Sequence, residues 1–268
     1  MTWLSIHIFP KEPILDAAIT RWLGAFMRKL HATEPGFSDY FFTRSMEGGQ
    51  HFRLRLRGTA QFFEEKVAPL VTEIFEKEAG AELAVMPFQP EIERFGGAEA
   101  FPFVENYFAA SSQTVFQRIF LANGDYDQKM GDALQLHLAV AAAADFTNKE
   151  AAAYFRQLSK EWMPAFFMPE HPLLNGEQQA YYLEIERVFN LSFEKQADGI
   201  RAAVANFWGQ YLSKKMDEST ANWLKINELL LPNIPATAWP DLMHMTNNRL
   251  GITNQDEVFL MYVLGRSL

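Results

Sequence analysis

The stretch His51-Phe52-Arg53-Leu54-Arg55-Leu56-Arg57 limits the fold more than any other part of the sequence. Its strict alternation reads as a β-strand, with His51, Arg53, Arg55 and Arg57 on one face and Phe52, Leu54 and Leu56 on the other. The apolar face must lie under a covering layer. The three guanidinium groups of the other face repel one another unless an anion, a carboxylate or water sits among them, so the strand is a candidate anion site. The competing reading is a solvated basic face, which is common on sheets, and this run alone weighs the two evenly.

The flanking segments supply the covering layer. Residues 3–9 alternate as a strand, and residues 14–30 follow as an amphipathic helix. Residues 39–46 form a second strand, joined to residues 51–57 by Glu47-Gly48-Gly49-Gln50, where paired glycines supply the positive φ of a tight hairpin. A helix over 61–78 and a strand around 83–94 complete a β-α-β-β-α-β order. This is the ferredoxin-like pattern, with the third strand central, both helices on one sheet face and the other face open.

After Gly96-Gly97 apolar residues recur at helical spacing, and Thr147 with Glu150 reads as a capping box. Breaks are expected at 123–127, 164–176 and 231–240, before a last helix near 255–264. The fold class is therefore α+β. A sheet region over 1–97 and a helical region over 98–268 are expected to pack together as one compact unit.

Of the 268 residues, 49% are hydrophobic, enough to bury a sizeable core. The net charge of -9 argues against direct nucleic-acid binding, which needs a clustered cationic excess. Cysteine is absent, which excludes disulfides, Cys-ligated zinc and thiol nucleophiles. There is no signal-like N-terminus, and no run approaches the ~18 apolar residues of a membrane span. A cytoplasmic bacterial protein is the expectation.

Two further segments bear on chemistry. Pro90-Glu91-Ile92-Glu93-Arg94-Phe95-Gly96-Gly97 ends the sheet region with two acids, a cation and a diglycine turn. Its acids can neutralise Arg53 and Arg55, or orient them about a ligand carboxylate. The other segment, His244-Met245-Thr246-Asn247-Asn248-Arg249-Leu250, holds a histidine, the side chain best suited to exchange protons at neutral pH. His7, His31, His137 and His171 take the default structural role, and their spacing offers no metal site. No phosphate loop, nucleophile elbow or zinc-protease motif is present.

Together these segments resemble the glutamate-elimination domain of class I lantibiotic dehydratases, in its free-standing form. The resemblance runs through Trp3-Leu4-Ser5-Ile6-His7, Phe41-Phe42-Thr43-Arg44, Gln50 to Arg55, Glu91 to Gly97, Glu105-x-x-Phe108 and His244-Met245-x-x-Asn248-Arg249, in the family's order. It implies catalytic roles for Arg53, Arg55, Glu91, Arg94, His244 and Arg249, and substrate contacts from His51, Arg44, Arg57 and Asn248. Phe95, Ser45 and Ser111 depart from residues the family favours (Tyr, Tyr and Asp), which suggests a divergent branch.

The resemblance further implies the partners and the chemistry. A separate glutamyl-tRNA-dependent enzyme esterifies Ser or Thr of a precursor peptide, with its leader and core, and this domain then eliminates glutamate. No cofactor or metal is implied. Removing a peptide Cα proton needs a positioned base and cations or donors that stabilise the enolate. Two alternatives stay open. One is the pyridine synthase branch, which cyclises a peptide carrying two dehydroalanines; the other is a non-catalytic partner that binds the precursor peptide.

Overall fold

In the computed structural model, which describes residues 1–169, 171 and 174–268, four strands form one sheet in the order β2-β3-β1-β4. The strands are β1 (Thr2–Phe9), β2 (Tyr40–Ser45), β3 (His51–Gly58) and β4 (Glu82–Met86). All neighbours pair antiparallel, so the expected ferredoxin-like order is present with β3 and β1 central. Register places Leu54 opposite Ile6 and Phe42, and Arg53 opposite His7 and Thr43. The hairpin from β2 to β3 turns on Gly48 and Gly49, at φ 73° and 117°, which side chains with a Cβ rarely adopt.

Two helices cover the apolar face. Helix α1 runs through Leu15–Ala18, Ile19–Leu23 and Gly24–Thr33, its middle turn in the wider π geometry. Helix α2 runs from Ala60–Phe62 to Val71–Glu78, with π geometry in Phe63–Val67 and in its last segment. Pro69, which cannot donate an α-type backbone bond, lies between the two wide stretches. Phe26 of α1 stacks on Phe75 of α2 at 5.3 Å, and Phe75 meets Phe52 of β3 edge-on at 6.1 Å. Phe52, Leu54 and Leu56 are fully buried, each worth roughly 1.5–3 kcal/mol in transfer free energy.

A small cluster of charged groups enters this core. Arg44 stands opposite Phe52 in register, so it points to the helix-covered side, where it pairs with Asp16 of α1. Lys129 Nζ reaches the same carboxylate at 2.9 Å. Although burial pushes Asp16 up, Arg44 and Lys129 hold it below the usual carboxylate range.

The fourth strand is shorter than expected over 83–94. It ends at Met86, and Glu93–Phe95 forms a single 3-10 turn. Pro90 cannot donate to a ladder, and Gly96 and Gly97 turn the chain at φ 98° and 86°.

The chain forms two compact units. The first, Met1–Lys129 with Leu229–Gly251, joins the sheet layer to α3 (Phe101–Ala122) and α9 (Trp239–Leu250). Helix α9 packs on α3 and on β2. The division thus falls elsewhere than at residue 97.

The second unit, Met130–Glu228 with Ile252–Leu268, is helical. It takes most of α4 (Tyr126–Ala143), then α5 (Asn148–Phe166), α6 (Asn175–Glu194), α7 (Ala197–Ser213), most of α8 (Glu218–Leu230) and α10 (Asn254–Ser267). Met163, Phe189 and Val258 centre its core. The capping box of Thr147 and Glu150 opens α5 as expected. Helix α5 continues through Pro164, where a break was expected to begin; within that break, residues 170, 172 and 173 lie outside the described residues. Among the described residues, no helix is long and apolar enough to cross a membrane.

The Asp16 cluster yields a stability prediction. Asp16→Ala leaves two buried cations uncompensated and should cost about 3–5 kcal/mol of unfolding free energy, read from urea denaturation. Because the folded pKa of Asp16 lies below its unfolded value, this contribution is present at neutral pH and is lost as pH falls through the folded value. A cost under about 1 kcal/mol would show that the cluster does not hold β2 to α1.

Candidate functional site

The sheet face away from α1 and α2 carries His7 of β1, Thr43 of β2, and His51, Arg53, Arg55 and Arg57 of β3. Arg55 is its central cation. The guanidinium lies 5.2 Å from the Phe41 ring and 5.1 Å from the Phe88 ring, and Nη1 donates to Thr43 Oγ1 at 3.1 Å. Among the described residues no carboxylate pairs with it, and its buried Nε has no hydrogen-bond partner. Burial, then the nearby Arg53, push its pKa down to about 10. A buried guanidinium with no carboxylate of the chain beside it is suited to hold an anionic group.

Its neighbours are better matched. Arg53 donates through Nη2 to Glu47 at 2.6 Å, a carboxylate whose side chain is 84% exposed, and through Nε to His51 Nε2 at 3.3 Å. The His51 ring is buried, and the network assigns its proton to Nδ1, which donates to Gly49 O at 2.8 Å. Burial holds His51 below the usual histidine range. Arg57 approaches Glu105 at 3.6 Å, and the same carboxylate accepts from Trp3 Nε1 at 2.6 Å.

Arg44 does not join this face. Expected as a substrate contact, it lies on the opposite side of the sheet with Asp16, because adjacent strand positions alternate. Its backbone has another role. Asn248 Oδ1 accepts from Arg44 N–H at 2.9 Å, and Asn248 Nδ2 donates to Arg44 O at 3.2 Å. The amide thereby closes the outer edge of β2 as a neighbouring strand would. Ser112 Oγ accepts from Phe42 N–H at 3.1 Å, and Arg249 Nε donates to Phe42 O at 2.9 Å. Arg249 also donates to Met245 O at 2.9 Å and to Ser111 Oγ at 3.4 Å. It is 0% exposed, so its position is that of an internal clamp. Burial lowers its pKa to about 9, with Tyr107 raising and Arg55 lowering it further.

The same helix carries His244. Asp241, His244 and Asn248 recur at helical spacing on one half-buried face of α9. Asp241 accepts from Arg94 Nη2 at 2.6 Å, while Arg94 Nη1 reaches Glu91 at 2.9 Å. A Cβ on Gly96 would come within 2.6 Å of Pro235, so glycine there lets the Arg94 turn close against the segment that enters α9. His244 thus sits between two anchors, Asp241 on Arg94 and Asn248 on β2, about 10 Å apart along the helix.

An aromatic belt connects these cations. Phe88 meets Trp3 at 5.8 Å, Trp3 meets Phe41 at 4.9 Å, Phe41 meets Phe108 at 5.4 Å and Phe108 meets Phe95 at 5.2 Å. Arg55 lies over its Phe41 and Phe88, Arg249 over Phe108 at 4.8 Å, and Arg94 over Phe95 at 5.7 Å. Ring faces hold guanidinium planes without neutralising them. The belt was not foreseen from sequence, nor were the partners Glu47, Thr43 and Glu105. His7, assigned a structural default, stands on the arginine face stacked on His51 at 5.0 Å. Burial, then Arg53, bring its pKa down to about 4. Period-two counting along β1 was the signal that could have placed it there.

Comparison with known proteins adds a family and a fold. A family profile described as "Lantibiotic biosynthesis dehydratase C-term" matches residues 3–268. No curated protein matches the sequence. Among solved structures, the pyridine synthase TbtD from thiomuracin biosynthesis is similar with TM-score 0.75 at 10% identity, covering 100% of this chain and 97% of TbtD. TsrL is similar with TM-score 0.66 at 13% identity, covering 99% and 93%. The tRNA-dependent lantibiotic dehydratase MibB from Microbispora sp. 107891 gives 0.60 at 19% identity, covering 100% of this chain and 28% of MibB.

The contrast between the two buried arginines is measurable. Arg55→Met removes a cation with no internal counter-charge, and the unfolding free energy should stay within about 1 kcal/mol of the parent or rise. Arg249→Met strips donors from Phe42 O and Met245 O and should cost about 2–4 kcal/mol. Equal losses for both variants in urea titrations would contradict this division into ligand site and clamp.

Proposed function

The chain belongs to the lantibiotic biosynthesis dehydratase C-terminal family, and from that premise we propose that it eliminates glutamate from glutamylated Ser or Thr of a ribosomally made precursor peptide. The observation that carries this reading is Arg55, held by Phe41, Phe88 and Thr43 with no carboxylate of the chain's own among the described residues. A glutamyl ester formed from glutamyl-tRNA keeps a free side-chain carboxylate, which is the missing counter-charge. Arg53 supports Arg55 from the adjacent same-face position, and its bond to the exposed Glu47 is one a ligand can displace at little cost.

The chemistry then follows from residue types. A base takes the Cα proton of the esterified residue; the electrons form the Cα–Cβ double bond, and the Cβ–O bond breaks. Glutamate leaves as a carboxylate, which needs charge stabilisation more than protonation. We assign proton transfer to His244, which lies about one helical turn along α9 from Asp241, the partner of Arg94. Arg94 and Arg53 would stabilise developing negative charge, with Glu91 orienting Arg94. Ser yields dehydroalanine and Thr yields dehydrobutyrine. Each step closes on the chain's own groups, so the enzyme is a lyase that needs no cofactor. Its partners are the precursor peptide and a separate glutamylating enzyme.

The test is a glutamylated precursor peptide followed by mass spectrometry. Loss of the whole glutamate should appear with the parent protein, and fall ~10²–10⁴-fold in His244→Ala. Arg55→Met should lose ~10²–10³-fold in activity at nearly unchanged stability. If the glutamylated peptide is returned intact while a peptide bearing two dehydroalanines is cyclised, the protein is a pyridine synthase. If neither peptide is processed but both bind, it is a binding partner.

A further inference from the structure

We propose that His7 is a ligand-contacting residue of the arginine face, which gains a proton as a carboxylate settles between Arg53 and Arg55 and then donates a hydrogen bond to it. This rests on the reading of that face as the glutamate site and adds a residue to it.

Three observations support it. First, β1 and β3 pair with His7 directly opposite Arg53, so the imidazole emerges beside the two guanidinium groups. Second, the His7 and His51 rings are stacked at 5.0 Å and 22°, yet they are not equivalent. His51 uses both nitrogens, on Gly49 O and on Arg53 Nε, whereas half-buried His7 makes no hydrogen bond among the described residues. Its ring is therefore held flat against a fixed neighbour while its nitrogens stay available. Third, the charged surroundings are lopsided. Arg53, Arg55 and His51 of β3 face it, against Glu47 of the hairpin, with exposed Glu82 of β4 on the same face two positions along.

The consequence is a linkage. With the face empty, burial and the two arginines hold His7 neutral, at a pKa of about 4. An anion seated between Arg53 and Arg55 cancels the field that suppresses the proton, and an opposite charge at 4–6 Å shifts a titrating group by ~1–3 units. The proton comes from solvent and no covalent bond changes. Binding an anion here should thus take up a proton, and affinity should rise as pH falls through the raised value, roughly 5–7, toward about 4. The ligand class is a carboxylate on a flexible stem, as in a glutamyl side chain.

The experiment uses the full chain, with histidine and arginine nitrogen-labelled, and propanedisulfonate, a glutarate-shaped dianion whose charge is fixed over this pH range. NMR titration of the His7 ring should show its pKa rising by about one unit or more at saturating dianion. In His7→Gln, which keeps a donor but does not titrate, the Kd should no longer tighten on acidification. Dianion binding that shifts the Arg53 and Arg55 side-chain signals but leaves the His7 pKa unchanged would overturn the role of His7 and leave the anion site standing. Absence of binding to the parent would overturn both.

Discussion

The outer edge of β2 is the constraint on which the rest of the first unit depends. An edge strand leaves backbone donors and acceptors unpaired, and here side chains complete them: Ser112 of α3, and Asn248 and Arg249 of α9. Closing this edge costs the protein its freedom to place α9 elsewhere. The Asn248 amide pairs with both backbone groups of Arg44, fixing the helix in rotation and in height, and His244 is one helical turn away on the same face. The Arg249 clamp and the Tyr107, Ser111 and Thr246 hydroxyls behind it fill the space beneath with hydrogen bonds. Asn248 and Arg249, a pair that looks like a ligand motif in sequence, thus also fasten α9, the helix that carries His244, to β2.

Charge explains why the two faces of this sheet differ. On the covered face Arg44 is matched by Asp16, with Lys129 beside it, as a buried ionic group must be. On the open face Arg55 is held by aromatic rings and a hydroxyl. Rings stabilise a guanidinium through its face and leave its N–H edge for something else. The protein keeps cationic charge concentrated in a partly dry place although its net charge is -9. Such an arrangement is poor for stability and good for binding an anion, the usual trade at a functional site.

Much of this was legible in the sequence, and the exceptions are instructive. The alternation of 51–57 fixed both the central strand and its two faces, because period two survives any tertiary context in which one face is buried. Gly48-Gly49 and the Thr147 cap likewise act locally, and both elements formed as expected. Arg44, expected as a substrate contact from its motif neighbours, lies on the other face of the sheet from Arg53, as strand parity alone requires. The aromatic belt was hidden because Trp3, Phe41, Phe88, Phe95 and Phe108 come from separate segments and read as ordinary core. The return of the chain to the first unit at Leu229 is set by long-range packing of α9, for which no local residue pattern exists.

The most direct test is a crystal structure with a precursor-derived peptide whose Ser carries glutamate through an amide in place of the labile ester. The account predicts the free side-chain carboxylate within about 3 Å of Arg55, Arg53 released from Glu47, and the Cα of the modified residue facing His244. A carboxylate bound away from the arginine face, with the Glu47 to Arg53 pair intact, would contradict it.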